Sequence, residues 1–111
     1  MKIAAAALVL AIATIATTPA IAADEGNAAI IAMGKINGIA LACQQPAIVS
    51  RARHAIINFA PKTRANGDTF EEATNTAYLE QGKGLACPDV ATLVQRLNEA
   101  EKNLNTVFAT Q

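Results

Sequence analysis

Cys43 and Cys87 are the only thiols in the chain, and two thiols can form a bridge, hold a metal or exchange electrons. Metal and redox chemistry need company that is missing here. There is no C-x-x-C pair, no C-x-x-C-H haem attachment signature, and His54 is the one histidine that could join a closed zinc site. An even cysteine count in an exported chain reads as a disulfide. The loop it closes is about 45 residues, for which chain entropy gives roughly 4 kcal/mol. Against a typical domain stability of about 5–15 kcal/mol, such a bridge decides whether the domain stays folded.

Catalytic constellations are weaker still. Ser50 and His54 stand one helical turn apart, but nothing near them in sequence supplies an orienting third group or an oxyanion-binding turn. Glu71 with Glu72, and Glu99 with Glu101, sit at spacings that point to different helix faces, so neither pair can work on one bond. The expectation is a protein that is not an enzyme and carries no cofactor or metal.

Charge is distributed more tellingly. Between Gln44 and Gly67 stand Arg51, Arg53, Lys62 and Arg64, together with His54, and no acidic residue. These five are the candidate partner-binding residues, suited to an acidic protein surface, an anionic glycan or lipid headgroups. Without aromatics interleaved among them, they do not suit single-stranded nucleic acid. Nine Lys and Arg against nine Asp and Glu give no general pull toward polyanions.

The elements that must position these residues begin with a leader. Lys2, the apolar run Ile3 to Ala13, and Ala20-Ile21-Ala22 have the three-part layout of a secretory signal peptide. Cleavage is expected after Ala22, which makes residues 1–22 the leader and 23–111 a single domain. The apolar core of the leader is too short for an anchor, since a span takes roughly 20 residues. Losing Lys2 leaves a formal charge of −1.

After a polar lead-in, Ala23 to Asn27, the stretch Ala28 to Cys43 reads as a buried central helix. Gly34, Gly38 and Ala42 line one face of it with almost no side chain, which lets a neighbouring helix approach closely. Pro46 opens a second helix with the stripe Ile48, Ala52, Ala55, Ile56 and Phe59. Pro61 ends it, and Lys62 to Gly67 reads as a basic loop. Asp68 with Glu71 forms a variant capping box for a third helix, whose apolar side is Phe70, Ala73, Ala77 and Tyr78 and whose stop is Gly82. Pro88 begins the last helix, where Val90, Leu93, Val94, Leu97, Leu104, Val107 and Phe108 keep the helical period.

No stretch alternates as a strand would. The class is therefore all-α, a small four-helix up-down bundle pinned by Cys43–Cys87. The bridge checks the topology, because the end of helix one and the start of helix four lie at the same end of such a bundle.

The leading functional expectation is a small exported protein of the cell envelope that binds another protein, of the inhibitor, immunity or accessory-subunit type. The periplasm is the expected location, with secretion as the alternative, and no membrane segment remains after cleavage. In architecture alone, the signal peptide, short domain and two cysteines resemble small periplasmic acid-stress chaperones. That resemblance implies a second function, protection of clients by loosening at low pH. A third is carriage of a small apolar ligand in the bundle interior.

Overall fold

A computed structural model describes residues 19–109, with side chains from residue 23 onward. Four helices follow in order: α1 Pro19–Ala42, α2 Pro46–Phe59, α3 Arg64–Gln81 and α4 Val90–Ala109. No strand occurs among the described residues. The chain is an all-α bundle pinned by Cys43–Cys87, with 5.8 Å between the two Cα atoms. Residues 1–18 of the expected leader lie outside the described residues, and the expected cleavage point after Ala22 falls within α1.

That start corrects the expected lead-in, because Ala23 to Asn27 is helical. Nothing in Ala-Ala-Asp-Glu breaks a helix, and Gly26 is packed rather than loose. A Cβ there would stand 2.9 Å from Cζ of Phe108, so the missing side chain lets α4 close on α1.

Consecutive helices alternate in direction. Gly26 meets Phe108 at one end while Cys43 meets Cys87 at the other, so α1 and α4 run antiparallel. Gly34 faces Phe70 and Ala73, and Gly38 faces Ala77 and Tyr78, so α1 and α3 run parallel. Within this order α1 is the middle element, packed by all three others. α2 and α4 also pack on each other, but the backbone of α3 approaches only α1.

The core follows from those contacts. Ala29, Ile30, Met33, Ile36 and Ala40 of α1 meet Ile48, Ala52 and Ala55 of α2 and Leu93, Leu97, Ala100 and Leu104 of α4. Ile30, Met33, Leu93, Leu97 and Leu104 are fully buried. Each contributes about 1.5–3 kcal/mol relative to an exposed position. On the α3 side the seam is small residues with buried Asn37 and Thr74. A Cβ at Gly34 would come within 2.7 Å of Ala73 Cβ, and one at Gly38 would strike the carbonyl oxygen of Thr74. Ala42, the third small residue of that spacing, is the half-buried last residue of α1.

Helix ends depart from expectation in two places. α3 starts four residues before Asp68, so Arg64 to Gly67 are helix and not loop. Thr63 is the cap: its Oγ1 accepts from the Asn66 N–H at 3.2 Å, and Asn66 Nδ2 donates back to the Pro61 carbonyl at 2.9 Å. With Pro61 holding the chain extended just before it, this cap acts ahead of Asp68 and Glu71, which are exposed. α4 starts at Val90, not Pro88. Asp89 accepts from the Thr92 N–H at 2.7 Å and so stands before the first turn as its cap.

Three stripe residues lie further out than their spacing suggests. Tyr78 is 48% exposed, Phe59 38% and Val90 50%. Each sits at the margin of its helix's apolar face, and a helix that packs on only one or two neighbours leaves its margins wet.

Candidate interaction surface

The outward side of α2 is built by its helical register. Ser50, His54 and Ile57 recur at the spacing of one face, and Arg53 lies one turn before Ile57 on the same side. All four are exposed, Ile57 to 55%. Lys62 follows in the linker and Arg64 opens α3, both exposed. Ser50 and His54 share no hydrogen bond, and no group of three metal-ligating side chains comes together among the described residues.

Arg51 does not belong to that surface. Its Nη2 donates to Asn98 Oδ1 at 2.9 Å and to Glu101 Oε2 at 3.1 Å, joining α2 to α4. Arg51, one of the five candidate partner-binding residues, is thus already engaged within the molecule while its side chain remains 44% exposed. Arg51 and Arg53 are two residues apart on a helix, hence about 200° apart around its axis. The basic stretch is therefore two surfaces, one used within the molecule and one open. Arg53, Lys62 and Arg64 make no ion pair within the described residues.

The opposite charge collects on α3. From Asp68 to Gly82 there are four acids (Asp68, Glu71, Glu72 and Glu80) and no base. Because α3 packs only on α1, a groove of about 610 Å³ opens along the two helices. Ile31, Lys35 and Ile39 form its α1 wall, Glu72, Thr76 and Glu80 its α3 wall, and Leu85 closes one end. Lys35 is the one charged residue between Ala28 and Cys43. Its position four residues from both Ile31 and Ile39 is the signal that this face of the helix is wet.

The end of the molecule that holds the bridge carries further local contacts. Gln81 Nε2 donates to the Leu85 carbonyl at 2.9 Å and lies 3.8 Å from Cys87 Sγ. Gly84 supplies the left-handed turn at φ +92, which a side chain would strain. No described helix is long and apolar enough to cross a membrane. Comparison with family models, with curated proteins and with solved structures finds no match to this chain.

Proposed function

We propose that this chain is a small exported, non-enzymatic protein of the bacterial periplasm that acts by binding an acidic surface of another envelope protein, in the manner of an inhibitor, immunity protein or accessory subunit. The observation that carries the reading is Ile57. It is a large apolar side chain, 55% exposed on a helix without acids, with Arg53 and His54 one turn away. An apolar anchor with a cation beside it is how a small domain combines steering with a desolvated contact. Lys62 and Arg64 extend the same charge beyond the helix. The signal-peptide layout of the first 22 residues and the disulfide support export into an oxidising compartment.

The test is crosslinking and co-purification of the tagged chain from its own host's envelope, repeated with Arg53→Glu and with Ile57→Ser. One stoichiometric partner, lost in both variants with melting temperature unchanged, is the expected result. Capture that is indifferent to both variants would remove this face from the account.

A further inference from the structure

The groove between α1 and α3 has a charge pattern that complements itself. Its α1 wall carries a cation, Lys35, between Ile31 and Ile39, and its α3 wall carries two carboxylates, Glu72 and Glu80, about Thr76. Each triplet is spaced by four residues in both directions, so each reads the same when its helix is reversed. Lys35, Glu72 and Glu80 are all exposed and form no ion pair within the described residues. A twofold axis across the groove sets α1 of one copy antiparallel to α3 of the other. It then brings each Lys35 between the two carboxylates of the opposite copy, and it does so twice.

We propose that this groove is the interface of an antiparallel twofold dimer, with a second copy of this chain as its occupant. The apolar contact comes from Ile31, Ile39 and Leu85, none of which is fully buried in the single chain. The walls run from Asn27 to Ile39 on α1 and from Thr69 to Gln81 on α3, about 18 Å at ~1.5 Å per residue. That length accommodates more than three turns of each facing helix. The dimer also gives α3 the second helical neighbour that it lacks within its own chain. The outer face of α2 takes no part, so the dimer and the partner surface stand or fall separately.

Three samples test this by sedimentation equilibrium of the purified exported chain. The wild type is expected to dimerise reversibly, more weakly at high salt. Lys35→Glu makes both walls acidic, and the double variant Glu72→Lys with Glu80→Lys makes both basic. Each alone should raise the dimer dissociation constant by about tenfold or more. Mixing the two should restore association as a heterodimer, because each copy then supplies what the other lacks. Circular dichroism of each sample separates a lost interface from a lost fold. A wild type that stays monomeric to about 1 mM, a Lys35→Glu dimer as tight as wild type, or failure of two folded variants to associate on mixing would overturn the proposal.

Discussion

Asn37 Nδ2 donates to Thr74 Oγ1 at 3.2 Å across the seam between α1 and α3, with both side chains buried. Thr74 Oγ1 in turn donates to the Phe70 carbonyl at 2.8 Å, whereas Asn37 Oδ1 is buried with no hydrogen-bond partner. The seam therefore holds one made polar contact and one unmade acceptor.

The sign of substitutions at Asn37 follows from that imbalance. Asn37→Leu keeps the branched outline and removes the orphan acceptor together with its donor, and Thr74 keeps its bond to Phe70. Its two methyl groups are bulkier than the amide, and the close seam must give to hold them, so the net cost should be about 1–2 kcal/mol, below that of a buried charge. Asn37→Asp places a carboxylate in the same dry position and should cost at least about 2–3 kcal/mol at neutral pH. Urea denaturation of the two variants, read against wild type, checks the pair.

Two glycines should respond in opposite directions to the same change. A Cβ at Gly38 would meet the Thr74 carbonyl oxygen, Ala77 Cβ at 2.8 Å and Tyr78 N at 2.9 Å, and two of the three are backbone. Gly38→Ala should destabilise by about 1–3 kcal/mol, since the helices must move apart. Gly67, inside α3, has nothing within 4 Å of a Cβ, so Gly67→Ala should stabilise by about 0.5–1 kcal/mol. Thermal unfolding gives both signs in one experiment.

Removing the bridge should cost most. Cys43 and Cys87 are 44 residues apart in sequence, and opening that loop releases about 4 kcal/mol of chain entropy into the unfolded state. Cys43→Ala with Cys87→Ala should match the reduced wild type in urea midpoint. A double variant as stable as the oxidised protein would show that helix packing alone suffices.

The contact of Arg51 with Glu101 has one partner 44% and the other 29% exposed, so water weakens it. Arg51→Ala should lower stability by no more than about 1 kcal/mol. Arg51→Glu should lower it further by setting like charges together, and added salt should shrink both effects. Arg53→Glu, with no partner to lose, should leave unfolding unchanged.

Asp89 predicts a pH dependence. The Thr92 N–H, then its side chain, hydrogen-bond the carboxylate and hold its pKa below the usual range. A depressed folded-state pKa adds stability that is present above the unfolded value, near pH 4, and is lost as the pH falls through the folded value. Asp89→Asn keeps an acceptor without the titration. The stability gap between wild type and Asp89→Asn should therefore be constant from about pH 5 to 7 and narrow below about pH 4.

Much of this arrangement is legible in the sequence. Leu93, Leu97 and Leu104 recur with the helical period, and Cys43 and Cys87 stand at helix junctions, so class and topology follow from local pattern. The start of α3 is not legible in that way: the sequence reads as a basic loop up to Asp68, whereas Thr63, extended and bonded to the Asn66 N–H, starts the helix one turn earlier. Arg51 could not be removed from the open surface by inspection, since Glu101 lies 50 residues away in sequence. The groove depends on α3 approaching α1 alone, and no spacing within α3 reports which neighbours it lacks.

The central place of α1 sets an order of events. As the N-terminal helix it is the first of the four to be synthesised, yet its apolar sides are covered by segments that arrive later, ending with α4. Until α4 has been made, Ile30 and Met33 have no complete shelter, and Cys43 waits for a thiol near the end of the chain. An exported chain of this design stays adhesive until its last helix has emerged in the oxidising compartment, and only then can the core and the bridge close together. Truncations that stop before α4 should therefore be found in aggregates, not as smaller folded domains.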